Sequence, residues 1–437
     1  MAINRRLVWR RLLRPSSGLR WSFVSIVLGL ILLLVGLAVS FKVLIRPLVS
    51  GMLSGLRSIL QVIAPGDVDL ALHMVGGALL MLGIYTIYAG FRGGMRRVSS
   101  AVDPSGKSGI IDRYLKKQSL ALGPRIVAIG GGTGLSTLLR GLKQYSSNIT
   151  AIVTVTDDGG SSGRLSQEKG MLPLGDIRNC LVALADAEKQ MTDLFQYRFK
   201  IDSGSLSGHS MGNLLMAALV DQSQGDYEKA ISVASDVLSI RGRVIPSTLD
   251  HVRLRATMAD GVEVCGETNI VAYPQPIKDI YLDPNDPEPF PGAIEAIQSA
   301  DLIVIGPGSV FTSVIPNLLV PGIAEAIQAT PAVKAYVCNV MTQKGESEHF
   351  TASQHVSAIL SNVRAKVFDY VLVNTGVPDP EVLARYRGAG QHLVEPDSDV
   401  IRSFSIRVVE GDFMSQTDTV RHDPMRVAAR LVRLVGV

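Results

Sequence analysis

Three aspartates carry the clearest chemistry in this sequence. Asp157 and Asp158 stand together in TVTDDGGSSGRL, at the end of the apolar run ITAIVTV and the start of a loop rich in glycine and serine. Carboxylates just beyond a strand can hold ribose hydroxyls or share a divalent cation with phosphate oxygens. Asp176 follows in PLGDIRN, where a helix is expected to begin. There it either caps the helix or joins Asp158 in holding magnesium, which usually takes one or two carboxylates and completes its shell with phosphate and water. Both readings stand open at this point.

A glycine turn precedes the aspartates. In RIVAIGGGTGLSTLLRGLK, Arg125 to Lys143, four glycines fall within the five residues Gly130 to Gly134, between a strand-like and a helix-like run. The dinucleotide fingerprint G-x-G-x-x-G fails, because its third glycine would fall on Leu135 or Thr137. A Walker loop fails as well, since no lysine precedes Ser136-Thr137. Hydride transfer to a nicotinamide and P-loop hydrolysis are therefore disfavoured. What survives is backbone N–H groups approaching an anion at a helix start, or a tight strand-to-helix turn with no ligand.

The elements that must position these residues alternate. Apolar runs RIVAI, ITAIVTV, DLIVIG, KAYVCNV and DYVLVN read as strands, and Leu135 to Gln144, Ile177 to Asp186 and Pro321 to Ala329 read as helices. The pattern predicts an α/β fold with a doubly wound, mainly parallel sheet. LRATMADGVEVCGETNI, with Asp260-Gly261 at its centre, predicts a β-hairpin insertion. In such a sheet the turns Gly130 to Gly134, Asp157 to Gly163, Gly306 to Ser309 and Asn339 to Gly345 should converge on one crevice.

The N-terminal quarter has a different character. WSFVSIVLGLILLLVGLAVSF, residues 21–41, and LALHMVGGALLMLGIYTIYAGF, residues 70–91, carry no formal charge. About 20 such residues cross a bilayer core, so two transmembrane helices are expected, with Gly76 and Gly77 allowing close approach. A cleaved signal peptide is the alternative for the first run, but no A-x-A site follows it. Arg5, Arg6, Arg10, Arg11, Arg14 and Arg20 precede the first run, Arg92, Arg96 and Arg97 follow the second, and Asp67 and Asp69 lie between. Both ends are thus expected on the cytoplasmic side of the inner membrane. The organisation expected is an anchor over 1–97, a linker over 98–123 and a soluble domain over 124–437. A formal charge of +4 on 437 residues gives no reason to expect nucleic acid as a partner. Cys180, Cys265 and Cys338 are too widely spaced for a zinc site and read as reduced core residues.

Six stretches in order, GGGTGLSTLLRGLK, TVTDDGGSSGRL, PLGDIRN, GHSMGNLL, GPGSVFTSVIPNLLV and CNVMTQKGESEHFTASQHV, closely resemble the YvcK branch of the YvcK/CofD family, from Pro124 to about residue 430. The resemblance implies a Rossmann-like fold. Its CofD branch transfers a phospholactyl-type group from a guanylylated donor to a deazaflavin with magnesium. Its YvcK branch, the gluconeogenesis factors, binds UDP-sugars, notably UDP-N-acetylglucosamine, and supports cell shape and envelope synthesis, with no settled catalytic activity. By position, Gly131, Gly132, Thr133 and Gly134 match the nucleotide-cradling turn, Asp157 is expected with Asp158 among the ligand-binding residues, and Asp158 and Asp176 match the metal positions. His209, Gly212 and Asn213 match a further motif, although such a histidine also occurs as a packed or capping residue. Gly306, Gly308, Ser309, Thr312 and Asn317 resemble the phosphate side, and Asn339, Thr342 and Gly345 the remaining rim. The stretch TDDGGSSGRL departs from the transferase branch and argues against a deazaflavin acceptor, and the two N-terminal spans are not part of the shared domain. The expectation is a membrane-tethered UDP-sugar-binding regulator with no required cofactor, magnesium as a second ligand, envelope synthesis proteins as partners and a homo-oligomeric state open to it. A magnesium-dependent transferase of the CofD kind is the alternative.

Overall fold

The computed structural model describes residues 17–41, 46–63, 68–102, 118–199, 206–415 and 419–436. The chain divides into two compact units, Met1–Lys116 and Lys117–Val437. Arg5, Arg6, Arg10, Arg11, Arg14, Asp67 and the linker positions 103–117 lie outside the described residues.

In the first unit, helices α1 (Ser17–Phe41), α2 (Arg46–Ile63) and α3 (Val68–Val102) follow one another. α1 and α3 run antiparallel in close contact: a Cβ on Gly83 would come within 2.8 Å of the Leu33 backbone nitrogen, and one on Gly36 within 2.8 Å of Leu80. Glycines of this kind let two backbones approach when dispersion rather than water exclusion must hold helices together. The glycines in contact are Gly29, Gly36, Gly83 and, through its carbonyl, the expected Gly76, whereas Gly77, also expected there, faces open space. The outward sides are apolar, with Leu30, Ile31, Met81, Ile84 and Tyr85 each more than half exposed. Within α3, His73–Gly94 is long and apolar enough to cross a membrane, whereas the apolar stretch described in α1, Val24–Leu37, is shorter. The connection between them contains the 18-residue helix α2.

The second unit is built on a seven-stranded sheet in the order β10-β9-β8-β7-β1-β2-β3, parallel throughout. Its strands are β1 (Ile126–Gly130), β2 (Ile149–Val153), β3 (Arg243–Pro246), β7 (Leu302–Ile305), β8 (Val333–Val337), β9 (Tyr370–Asn374) and β10 (Arg407–Gly411). Helices cover both faces, which is why the central strands read as unbroken apolar runs. One core packs Ala128, Leu138, Ile177 and Leu181 against the sheet, and a second packs Ile129, Phe311, Ile323 and Ile359 on the other face. The five strands expected from sequence are all present, and the fold is the expected Rossmann-like α/β arrangement. The two edge strands β3 and β10 are additional. The hairpin insertion becomes a separate antiparallel sheet of β4 (Arg253–Met258), β5 (Glu263–Cys265) and β6 (Ile277–Asp283), in the order β5-β4-β6. Cys180 and Cys338 are core residues as expected, while Cys265 in β5 is half-buried.

Strand order decides where a ligand can lie. From β1 the chain proceeds outward through β2 to β3, then returns to place β7 on the other side of β1. The crevice of such a sheet opens where the order reverses, at the carboxyl ends of β1 and β7. Helix α4 (Gly132–Leu142) leaves that point, followed by α5 (Gly160–Lys169), α6 (Gly175–Leu184), α7 (Met211–Gln222), α8 (Glu267–Ala272), α9 (Pro380–Gly388) and the terminal α10 (Pro424–Arg433). α10 begins at Asp423, whose carboxylate accepts the N–H groups of Met425 at 2.8 Å and Arg426 at 2.9 Å. It packs on α4 so tightly that a Cβ on Gly141 would run into the Pro424 carbonyl. Gly141→Leu is expected to destabilise the second unit by about 2 kcal/mol or more through overpacking. Thermal unfolding of the full chain by circular dichroism checks this; an unchanged midpoint would show that the two helices separate freely.

Candidate functional site

A cleft of about 450 Å³ opens at the β1–β7 reversal. Gly131, Gly132, Thr133 and Gly134 line it from the β1 turn, and Pro307, Gly308 and Ser309 from the β7 turn. The two turns touch backbone to backbone: a Cβ on Gly134 would strike the Pro307 carbonyl and approach the Gly308 nitrogen, so no larger residue fits there. Asn339, beyond β8, holds both polar groups of Gly308, donating to its carbonyl at 2.8 Å and accepting its N–H at 3.2 Å. Gln343 donates to the Ser309 hydroxyl at 2.7 Å. The N–H groups of Thr133 and Gly134, in the first turn of α4, have no protein acceptor among the described residues. First-turn donors of this kind are the groups a helix offers to an anion.

Asp176, at the start of α6, accepts the Gly132 N–H at 2.6 Å. Burial pushes its carboxyl up to about 6; Asp157 adds to the rise, and the Gly132 N–H and the Arg178 guanidinium oppose it. Asp157 lines the same cleft and is likewise raised by burial, while its Oδ1 accepts the Gly159 N–H at 2.9 Å. Asp158 is placed differently. Its Oδ1 accepts the N–H of Thr268 at 2.9 Å and the hydroxyl at 2.7 Å, tying α8 to the β2 loop beside a second hollow of about 490 Å³. The carboxylates the fold brings into the cleft are thus Asp157 and Asp176, whereas the sequence reading paired Asp158 with Asp176. No group of three or more His, Cys, Asp or Glu stands at metal-binding spacing among the described residues. Two carboxylates with phosphate and water nonetheless suit magnesium. Glu267, delivered by the β insertion, also lines the cleft, and burial first, then Asp157, pushes its carboxyl up to about 9, leaving it neutral at pH 7.

Other residues singled out in the sequence support the turns from behind. His209 is buried with its Nδ1 3.0 Å from the Ser161 hydroxyl, which also accepts from Asn213 at 3.0 Å. Arg178 donates to Ser210 at 2.6 Å and to Asn213 at 2.7 Å, and Gly212 lies against Arg178 and Phe195. None of these three motif residues lines the cleft. They fix α7 against α5 and α6, and burial lowers the His209 imidazole. Asn317 donates to the carbonyls of Gly130 at 3.2 Å and Ser313 at 2.8 Å, and Thr312 donates to Glu346 at 3.0 Å. The Gly306 N–H donates to the Ile129 carbonyl of β1 at 2.8 Å, and Gly345 lies against the Val271 carbonyl. Thr342 does reach the cleft, its hydroxyl accepting the His392 N–H at 2.9 Å.

The remaining wall comes from Tyr386 on α9, Gln391, Val420, Arg421 and His422. The sequence reading singled out none of them, because they follow no glycine turn and carry no spacing signal. Arg421 is the only lysine or arginine lining the cleft among the described residues. His422 donates from Nε2 to the Cys338 carbonyl at 3.1 Å, and burial drops it to about 4, so it is neutral with Nδ1 free to accept. Backbone donors, one guanidinium, two ionisable carboxylates and the Tyr386 ring make a cleft suited to an anionic, hydroxyl-bearing ligand with a planar group.

A carboxyl raised in the folded state destabilises the fold once ionised, by about 3 kcal/mol for a rise from 3.8 to about 6. That stability is present below pH 4 and is lost as pH climbs to about 6. Asp176→Asn keeps an acceptor for the Gly132 N–H without the charge. It is expected to stabilise the protein by about 1–3 kcal/mol at pH 7.5 and by almost nothing at pH 4. Denaturant titrations at the two pH values measure this, and an equal effect at both would remove Asp176 as the titrating group.

Comparison with known proteins shows the family and the fold. The model of the family described as 2-phospho-L-lactate transferase CofD matches residues 126–414. The Bacillus subtilis gluconeogenesis factor is 46% identical over 314 residues, covering 71% of this chain and 98% of that protein. A Nostoc sp. relative is 47% identical over 377 residues, 86% of this chain, which is longer than the second unit and so reaches into the first. A crystal structure of a Bacillus halodurans protein, described as a member of the UPF0052 family, superposes with a TM-score of 0.68 at 44% identity, covering 71% of this chain and 99% of that one. With the switch-point cleft, its paired glycine turns and these relatives in agreement, the chain belongs to the CofD family, alongside its gluconeogenesis factors.

Proposed function

We propose that the cleft binds a UDP-sugar, UDP-N-acetylglucosamine foremost, and that the protein is a membrane-tethered regulator that couples this binding to cell envelope synthesis and cell shape during gluconeogenic growth. The observation that carries the reading is the contact of the Gly134 and Pro307–Gly308 turns, which gathers backbone donors at one end of the cleft. The diphosphate lies there, against the Thr133 and Gly134 N–H groups, with Arg421 supplying the cation that the turn lacks. Asp157 holds ribose hydroxyls or, with Asp176, a magnesium ion, which when bound neutralises diphosphate charge beside the two carboxylates. Tyr386 and Val420 cover the base, and Gln391 and neutral His422 offer polar partners along the wall. Tethering rests on the α1–α3 pair, whose glycine-mediated contact and exposed apolar outside suit lipid better than water.

Titration calorimetry with UDP-N-acetylglucosamine tests the ligand. Arg421→Ala is expected to weaken binding about 10–100-fold, since a charge-assisted contact contributes about 1.5–3 kcal/mol. Absence of binding by the unaltered protein rejects the reading. For the tether, alkaline carbonate extraction is expected to leave the full chain in the membrane pellet and to release a chain starting at Lys117; full-length protein in the supernatant rejects the anchor.

The family match favours a second reading, a magnesium-dependent transferase of a phosphorus-containing group, in which Asp157 and Asp176 hold the metal at the transferred group. Product formation from a nucleotide-activated phospholactyl donor, abolished by Asp176→Asn with nucleotide binding retained, would support it; no turnover by the unaltered protein removes it.

A further inference from the structure

We infer that α2 lies along the headgroup layer of the bilayer, at the closed end of the α1–α3 hairpin, as an interfacial helix; this rests on the reading of that hairpin as membrane-embedded. α1 ends at Phe41 and α3 begins at Val68, and because the two helices run antiparallel these ends lie together, with α2 between them in the chain. The connection is therefore forced to meet whatever surface the hairpin emerges through.

α2 has the sequence of a surface-lying helix. At 100° per residue, positions 48, 49, 52, 53, 56, 59, 60 and 63 of RPLVSGMLSGLRSILQVI, all Leu, Val, Met or Ile, fall within an arc of about 140°. Ser50, Ser54, Arg57, Ser58 and Gln61 take the other side. A helix of 18 residues is about 27 Å long, but a face of serine, glycine and arginine prevents it from crossing a bilayer. Ile59 on the apolar arc is 58% exposed and Val62 at its border 84% exposed, so protein leaves those two positions open, while Leu56 at the middle of the arc is half-buried.

Lipid is the occupant these features favour. The apolar arc continues the apolar outside of α1 and α3, where Leu34, Leu37, Leu70 and Met74 near the closed end are also exposed. Arg57 falls at the edge of the arc by helical spacing, with position 46 on the same line about three turns earlier, and a cation there can reach lipid phosphate while the apolar side sinks about 5–10 Å.

Tryptophan placed at chosen positions reports the depth. In the full chain with Trp9→Phe and Trp21→Phe, reconstituted into vesicles of phosphatidylcholine and phosphatidylglycerol, Ile59→Trp, Ser58→Trp and Leu82→Trp are each quenched with lipids brominated either near the headgroup or deep in the acyl chain. Ile59→Trp is expected to be quenched about twofold more by the shallow bromine, Leu82→Trp more by the deep one, and Ser58→Trp weakly by both. If Leu82→Trp is quenched while Ile59→Trp is not, α2 stands in water or against protein, and the inference falls while the anchor stands. Deep quenching of Ile59→Trp also overturns it, in favour of a re-entrant segment. If Leu82→Trp is unquenched, the anchor and the inference fall together.

Discussion

The site depends on one steric constraint, the backbone contact between the turn after β1 and the turn after β7. Because Gly134 has no Cβ, the Pro307 carbonyl and the Gly308 nitrogen can sit against the first turn of α4. The parallel register Ile126 to Leu302 and Ile129 to Ile305 brings the two turns level at the sheet edge. Amide side chains then hold them from outside, Asn317 on the Gly130 carbonyl and Asn339 on both polar groups of Gly308. A side chain at residue 134 would part the turns and separate the donors they gather.

A second constraint is electrostatic and opposes the first. The start of α4 attracts negative charge, and the protein already places Asp176 there on the Gly132 N–H. With Asp157 and Glu267 near it, the cleft crowds carboxyls, and burial first, then their mutual repulsion, pushes all three upward. An anionic ligand entering this cleft has to be accompanied by positive charge. Arg421 is one source, and a divalent cation on Asp157 and Asp176 would be another. Arg178, although close to both aspartates, is committed to Ser210 and Asn213 and serves mainly to fix α6 against α7.

Sequence reading served best where the signal is local. Glycine turns, buried parallel strands and the Asp-Gly hairpin each leave their mark within a dozen residues, and these elements stand where they were expected. The edge strands β3 and β10 are short and partly exposed, so their apolar runs are too brief to separate from loop. The difference between Asp157 and Asp158 was invisible for another reason: it is made by Thr268, 110 residues from Asp158 in the chain, on helix α8. Glu267, Tyr386, Arg421 and His422 reach the cleft by the same long-range folding, on segments that carry no motif of their own. His209 had the right motif and the wrong depth, because its hydrogen bond to Ser161 turns it into the interior.

The two units also follow different rules of stability. The second unit has an apolar core on each face of its sheet, and every residue lining the cleft belongs to it. The Bacillus subtilis and Bacillus halodurans proteins match over nearly their whole length while covering only 71% of this chain, so in those relatives the domain stands without a matching hairpin. The first unit has the opposite construction, glycine contacts inside and large apolar side chains outside. Water would penalise that surface, and the hydrocarbon of a bilayer would not. What the N-terminal helices add is therefore neither a wall of the site nor a part of its core. The Nostoc relative, whose match reaches into the same region, retains at least part of that sequence.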